Sequence, residues 1–152
     1  MEEGNWQLKQ IADFFYLLVD GSESSGKDVL QKRFKKDLAS LSALYDLIER
    51  VDKLGYELGT EFAFNTNRFD TIKNTKLSLI DIRRFGKTWR VLTYWSKKRR
   101  AFVMLDVFEA HRHKSMNDML KQVEPLVTHA ARLVEDGERH GHEGVARGIP
   151  RR

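Results

Sequence analysis

The pattern of apolar and polar positions predicts, in order, one strand, two helices, three strands and a final helix. The run "FFYLLV" at residues 14–19 is apolar and partly aromatic, which is typical of a buried strand, and its start is left open back to Trp6. Apolar residues then recur at helical spacing in two consecutive segments, so we expect a helical hairpin. The two stripes consist of Leu30, Phe34, Leu38 and Leu41, followed by Leu44, Leu47, Ile48, Val51 and Leu54.

Two residues mark the expected ends of this hairpin. Asp28 precedes the first stripe, where a carboxylate can accept hydrogen bonds from the unpaired backbone N–H groups of a helix start. Gly55 follows the second stripe and is expected just beyond the helix end, because glycine readily adopts the left-handed conformation found there.

Three further apolar segments, separated by short turns, predict a β-meander. They are "LSLIDIRRF", "WRVLTYW" and "AFVMLDVF", with "GKT" and "SKKRR" between them. The first strand is expected to pair with this meander. The predicted fold class is therefore α+β, in the order β-α-α-β-β-β-α, with a small antiparallel-rich sheet and the helices packed on one face.

A last helix is expected after the meander. Ser115 and Asp118 resemble a capping box, and an apolar stripe continues from there to Val134. Pro125 lies within this stripe, so a kink or break is expected there. Residues 137–152 are glycine-rich and polar and are predicted to be a disordered tail, which leaves a single domain at residues 1–136.

The stretch "GSESSGKD" at residues 21–28 matches the phosphate-binding pattern G-x-x-x-x-G-K. That pattern continues with Ser or Thr, whose hydroxyl binds Mg²⁺, whereas this chain has Asp28. A carboxylate there would face the negative charge of a nucleotide. We therefore interpret the stretch as a connection between strand and helix, and expect no nucleotide cofactor.

Composition excludes several classes of protein. The chain has no cysteine, which rules out disulfides and cysteine-bound zinc. No apolar run reaches the roughly 18 residues of a membrane span, and the acidic start "MEEGNW" is unlike a signal peptide. These features favour a cytoplasmic protein without a membrane partner.

Positive charge is concentrated in one part of the chain. Residues 82–105 hold eight basic side chains and no acidic one, so with a net charge of +5 the remainder carries −3. Such clustering is typical of a protein that binds a polyanion. The alternative is that these side chains are only solvated on edge strands and turns. The eight are Arg83, Arg84, Lys87, Arg90, Lys97, Lys98, Arg99 and Arg100.

Five segments, taken in order, resemble the RelE/HigB superfamily of bacterial toxins, in particular its HigB-like and phage-derived RelE-like branch. They are "FFYLLVDGSESSGKDVLQKRF", "LIERVDKLGYELG", "LSLIDIR", "WRVLTY" and "FVMLDVFEAHRHKSM", and they span most of residues 13–136. The family's strand arginines fall on Arg83 and Arg90. Its basic pair at the end of the last strand falls on Ala110 and His111, where this chain departs from the family pattern.

The resemblance implies a toxin of a type II toxin–antitoxin system that cuts messenger RNA on the ribosome. In that reaction the RNA's 2′-hydroxyl attacks the adjacent phosphate, with no metal ion or other cofactor. The implied partners are a cognate antitoxin, the ribosome and mRNA. The protein has to supply a base, an acid and fixed positive charge for the transition state.

Arg83 and Arg90 are the candidates for the fixed positive charge, because a guanidinium group can hold two phosphate oxygens and keeps its charge. The alternative is that each arginine pairs with a carboxylate, such as Asp81, across the sheet.

His111 and His113 are the candidates for the base and the acid, since imidazole titrates near neutral pH. In an extended chain both would point to one face and Arg112 to the other. They could instead be polar loop residues, or form a metal site for which no third ligand is evident nearby. RNA contacts are further expected from Arg84, Lys87, Tyr94, Lys97, Lys98, Arg99, Arg100, Arg112 and Lys114, with Tyr94 as a stacking residue.

Two other functions would suit the same fold or the same basic strands. A ParE-like relative would inhibit DNA gyrase without cutting RNA, and a non-catalytic module would only bind nucleic acid. The paired arginines and histidines favour RNA cleavage, because neither alternative needs proton carriers.

Overall fold

The computed structural model describes residues 6–20, 27–58, 70–71, 76–84, 86–96, 99–110, 121 and 123–140. Within these residues the chain forms a mixed sheet that has helices on both faces. The elements are β1 (Trp6–Ala12), β2 (Phe15–Asp20), α1 (Val29–Arg33), α2 (Leu38–Leu58), β3 (Asp70–Thr71), β4 (Leu77–Arg84), β5 (Lys87–Ser96), β6 (Ala101–Ala110) and α3 (Glu124–His140).

The sheet has six strands in the order β1-β2-β6-β5-β4-β3. Every pairing is antiparallel except that of β2 with β6, which is parallel. The predicted α+β class, the meander β4-β5-β6 and the pairing of the first predicted strand with that meander are confirmed. Between β2 and β6 the chain forms α1, α2 and the strands β3 to β5, so the parallel pair joins the first hairpin to the last strand of the meander.

The prediction of a single strand at the start of the chain is wrong, because the segment folds into the hairpin β1-β2. The chain turns at Asp13 and Phe14. Asp52 in α2 fixes this turn: its carboxylate accepts the backbone N–H groups of Phe14 at 2.7 Å and Asp13 at 3.4 Å. The turn thus depends on a residue distant in sequence, and the edge strand β1 is added to the predicted order.

The prediction that all helices pack on one face of the sheet is also wrong. Two apolar clusters lie on opposite faces. On the first face, α1 and α2 cover alternate strand residues such as Ile82, Trp89 and Val91. On the second face, α3 contributes Ala130, Leu133 and Val134 to a cluster that contains the intervening strand residues. We call these the α1–α2 face and the α3 face.

The physical reason for the two covered faces lies in the central strands. In β6, seven of the eight residues from Ala101 to Phe108 are buried, and only Asp106 is partly exposed. Neighbouring side chains of a strand point to opposite faces, so a strand that is apolar at nearly every position needs cover on both sides.

The helical hairpin starts as predicted and ends differently. Asp28 caps α1: its carboxylate accepts the N–H of Gln31, and the Gln31 side chain accepts the N–H of Asp28. Helix α1 ends at Arg33, and α2 then runs through Gly55 to Leu58, so Gly55 is not the residue beyond the helix. A glycine inside a helix costs only about 1 kcal/mol relative to alanine, which the packing of the apolar stripe can offset.

Helix α3 begins at Glu124, so Pro125 occupies its first turn, where a missing backbone N–H breaks no hydrogen bond. Lys121 is also helical and Val123 lies in a turn, so the break expected at Pro125 is found just before it, at the start of α3. Residues 137–140, predicted to belong to the disordered tail, form the end of α3. Ser115 and Asp118 lie outside the described residues. Among the described residues, no helix combines the length and the hydropathy that crossing a membrane requires.

Candidate nucleic-acid site

Arg83 and Arg90 lie around Asp81 at the end of the sheet nearest the β4–β5 turn. Asp81 is directly opposite Arg90 in the antiparallel ladder, and Arg83 is two residues further along β4. Strand alternation puts all three side chains on the α3 face, on the same side as Leu79 and Leu92. Two arginines that are predicted to act together therefore share one face and one carboxylate.

The contacts within this cluster are long. Arg83 Nη2 is 3.5 Å from Asp81 Oδ2, and Arg90 Nε is 3.6 Å from Asp81 Oδ1. The side chain of Arg83 is 71% exposed, while those of Arg90 and Asp81 are 21% and 18% exposed. The ion-pair alternative for these arginines is therefore present in the structure.

The pairing register brings the end of β6 to this cluster. Arg83 is opposite Thr88 in β5, and Thr88 is opposite Ala110 in β6. Successive strands lie about 4.8 Å apart, so Ala110 is roughly 10 Å from Arg83 across the sheet. Ala110 is the residue that directly precedes His111 in the chain. His111, Arg112, His113 and Lys114 themselves lie outside the described residues.

The described members of the other predicted RNA-binding residues do not form one surface with this cluster. Arg84 and Lys87 are exposed and flank the β4–β5 turn on the α1–α2 face. Arg99 and Arg100 are in the β5–β6 turn, at the other end of the ten-residue strand β5 and roughly 30 Å away. Lys97 and Lys98 lie outside the described residues. The basic segment is thus divided between two faces and two ends of the sheet.

The prediction that Tyr94 stacks on RNA bases is wrong. Its side chain is 1% exposed and lies within the apolar cluster of the α3 face. Aromatic rings bury a large apolar area, and on a central strand this ring faces the covering helix. The alternation of β5 places Tyr94 on the covered face, where a nucleotide base has no access.

Basic residues in the α1–α2 connection were not predicted as functional. Lys35 and Lys36 are exposed and directly precede Asp37 in the sequence "KRFKKD". The sequence feature that could have identified them is this second run of basic residues. The run lies far along the chain from residues 82–105, so its closeness to that segment is visible only in the structure.

Asp37 joins this connection to the sheet. Its Oδ2 accepts hydrogen bonds from Ser40 Oγ at 2.6 Å and from Trp89 Nε1 at 2.8 Å, and its Oδ1 accepts the Ser40 N–H at 3.2 Å. The Ser40 hydroxyl contributes most to lowering the pKa of Asp37; the Trp89 bond, the Ser40 N–H and the charge of Lys87 lower it further, against an opposing effect of desolvation. Asp37 is therefore held as a carboxylate that caps α2.

The end of the "GSESSGKD" stretch agrees with its interpretation as a connection. Lys27 and Asp28 border a crevice of about 360 Å³ between α1 and α3. The Asp28 side chain is only 3% exposed, and Lys9 Nζ donates to its Oδ2 at 2.8 Å while its other oxygen caps α1. Both oxygens of Asp28 thus have structural partners, as the capping prediction requires. Residues 21–26 lie outside the described part of the chain.

Comparisons with known proteins do not assign the chain to a family. No family model matches the chain, and no curated protein or solved structure does so either. The resemblance to the RelE/HigB superfamily therefore rests on the five sequence segments and stays a prediction. In the described part of the chain, no three His, Asp or Glu residues are grouped so that they could hold a metal ion.

Proposed function

We propose that this protein is an endoribonuclease of the toxin–antitoxin type, which cuts messenger RNA on the ribosome in the cytoplasm. Its cognate antitoxin would hold it inactive. The proposal rests on one observation in particular: Arg83, Arg90 and the end of β6 meet at one end of one sheet face. The two candidate proton carriers, His111 and His113, follow Ala110 by one and three residues in the sequence.

The proposed reaction is cleavage by the RNA's own 2′-hydroxyl. One histidine, His111 or His113, removes the hydroxyl proton while the oxygen attacks the adjacent phosphorus. The bond from phosphorus to the 5′-oxygen breaks, and the second histidine gives that oxygen a proton. The products are a cyclic phosphate and a free 5′-hydroxyl, so the step needs neither an oxidant nor a metal ion.

The arginines would stabilise the charge that builds up on the phosphate oxygens. Arg83 is the better placed to touch the substrate, because its side chain is 71% exposed. Arg90 is mostly covered, and Asp81 is in contact with both guanidinium groups. A group that is fixed before the reaction gives more stabilisation than one that must first be ordered.

The decisive experiment is single-turnover cleavage of ribosome-bound mRNA, combined with growth arrest on expression. Arg83→Ala should lower the cleavage rate at saturating protein. Arg50→Ala is the matched control, since this exposed arginine on α2 is outside the predicted RNA contacts and should leave that rate unchanged. A wild-type protein that arrests growth but cuts no RNA would favour the gyrase-inhibitor alternative, and unchanged cleavage by Arg83→Ala would remove this arginine from the site.

A further inference from the structure

We propose that the crevice between α1 and α3 binds one nucleobase of the RNA, and we call it the nucleobase pocket. The Asp81 cluster would contact a phosphate, whereas this crevice would hold a flat and uncharged part of the same strand. The inference deepens the proposed function and rests on it for the identity of the ligand as RNA.

The nucleobase pocket opens where the parallel pair of strands separates. Strands β2 and β6 pair with each other only at residues 15–17 and 102–104. Beyond that pairing, Leu18 of β2 and Leu105 of β6 border a cavity of about 360 Å³. In open α/β sheets, ligands commonly bind in the crevice outside the carboxyl ends of the strands. The sheet topology therefore creates a cavity of the size of a small-ligand site.

The inside of the nucleobase pocket is apolar and partly aromatic. Its floor includes Leu18, Leu105 and Leu133, which are buried and belong to the apolar cluster of the α3 face. The half-buried Trp6 and the exposed His129 also border it, with ring centroids 6.2 Å apart and ring planes inclined at 53°. Proteins that read single-stranded RNA stack splayed-out bases on aromatic rings of this kind.

The described charged side chains that line the nucleobase pocket are balanced in sign. With histidine counted as neutral, three are acidic and three are basic, so the lining suits an uncharged base better than a phosphate. Arg33 Nε donates to Asp106 Oδ1 at 3.2 Å. A guanidinium group has five N–H donors and a carboxylate about four acceptor sites, so such a pair can also bond a base edge. The six are Asp20, Lys27, Asp28, Lys32, Arg33 and Asp106.

The strand register places the nucleobase pocket beside the proposed phosphate site. Asp106 lies two residues before Phe108 in β6, and Phe108 is opposite Arg90 in β5. A strand rises about 3.3 Å per residue and neighbouring strands are about 4.8 Å apart, so the Cα atoms of Asp106 and Arg90 are roughly 8 Å apart. A single RNA strand can therefore contact the arginines with a phosphate and fill the pocket with a nearby base.

The test measures the binding of short fluorescent oligomers of A, C, G or U. Their riboses carry 2′-O-methyl groups, which remove the attacking hydroxyl and so prevent cleavage. The pocket variants are Trp6→Leu and His129→Ala, and the matched control is Thr128→Ala, an exposed neighbour of His129 that does not line the pocket.

We expect the wild type and Thr128→Ala to prefer one of the four oligomers. Each pocket variant should bind that oligomer about five-fold or more weakly, as expected for the loss of base stacking, and should bind the other three with less change. Trp6→Leu removes no charge, so the slope of log K against log salt should stay that of the wild type.

Wild-type affinity for all four oligomers in both pocket variants, with circular dichroism showing that they fold, would overturn the proposal. A wild type without base preference, or a shallower salt slope in Trp6→Leu, would overturn it as well. If Trp6→Leu does not fold, His129→Ala decides the outcome. Failure of the proposed function looks different: the base preference and its loss in the variants would be observed, yet ribosome-bound mRNA would stay intact.

Discussion

Two carboxylates, one on each face of the sheet, differ in how their neighbours hold them. Asp37 on the α1–α2 face accepts three hydrogen bonds of 2.6 to 3.2 Å, from a helix start and an indole. Asp81 on the α3 face is in contact with two guanidinium groups at 3.5 and 3.6 Å. The first arrangement uses the charge to hold a helix on the sheet, whereas in the second the charge contacts two arginines of the neighbouring strands.

A carboxylate near basic residues therefore has no single role. Short hydrogen bonds from neutral donors indicate a structural role, because the donors would be costly to bury without an acceptor. The longer contacts of Asp81 with two cations form no such cap, and our proposal places the RNA phosphate beside them. The sharpest tests are therefore substitutions that affect one carboxylate or its region and spare the other.

The largest effect is expected from the histidines that follow the Asp81 region in the chain. His111→Ala and His113→Ala should each lower cleavage about 100-fold to 10,000-fold, the range typical of proton carriers. If one is the base and the other the acid, each variant should lose one limb of the pH–rate profile. The double variant should lose far less than the product of the single losses, because groups acting together are not additive. Two single variants with wild-type rates would remove the histidines from the mechanism.

The next effect concerns Arg90. Arg90→Ala should lower cleavage by about 100-fold or more, as removing a fixed donor from a transition-state site does. Arg90→Lys should rescue only part of the rate, since an ammonium group cannot hold two phosphate oxygens in one plane. Circular dichroism should show that both variants are folded. Full rescue by lysine would mean that charge alone matters, and the paired-oxygen role would be wrong.

A smaller effect, on stability alone, is expected from Asp37 on the α1–α2 face. Asp37→Ala should lower the free energy of unfolding by about 1–2 kcal/mol, the usual cost of losing a helix cap. Because folding lowers the pKa of Asp37, its contribution is present above its ordinary pKa of about 3.9 and is lost as the pH falls further. Urea denaturation of the variant and the wild type at neutral and acid pH would measure this contribution of Asp37 to stability. The difference in the free energy of unfolding between the variant and the wild type should be smaller at acid pH.

Asp81→Asn is the control that completes the comparison. It should change stability by less than about 1 kcal/mol, since long and partly exposed ion pairs contribute little. It should also strengthen RNA binding at low salt, because a negative charge beside two arginines is removed. A large loss of stability in Asp81→Asn, with none in Asp37→Ala, would reverse the roles assigned to the two carboxylates.

The smallest effect is expected from the loop. Lys27→Ala should leave growth arrest and stability nearly unchanged, because the adjacent Asp28 is used as a helix cap and the stretch is a connection. The measurement is thermal unfolding together with ATP binding. Micromolar ATP binding by the wild type that disappears in Lys27→Ala would show that the loop holds phosphate after all.

Much of the local structure could be predicted from particular residues. The meander followed from three apolar segments and short turns, and the cap at Asp28 followed from its position before an apolar stripe. The strand β1 was missed because its turn is held by Asp52, which is 38 residues from Phe14. The second covered face was missed because apolar residues at nearly every strand position were taken as a one-sided sheet.

The sequence likewise predicted some parts of the candidate site and missed others. Arg83 and Arg90 were chosen from the resemblance, and the register then brought both to Asp81. The basic segment was expected to contact RNA, and the length of β5 separates Arg84 and Lys87 from Arg99 and Arg100. No local signal could reveal that the connection carrying Lys35 and Lys36 reaches β5, since Trp89, which donates to Asp37, is 52 residues further along the chain.

The sequence by itself determined where most strands and helices form, because spacing, caps and turns act over a few residues. It also determined that Arg83 and Arg84 point to opposite faces, since alternation is a property of any strand. Only the tertiary structure decided which helix covers each face, and therefore which charges gather at one end of the sheet. That choice depends on contacts such as Trp89 with Asp37, which form only when distant segments pack together.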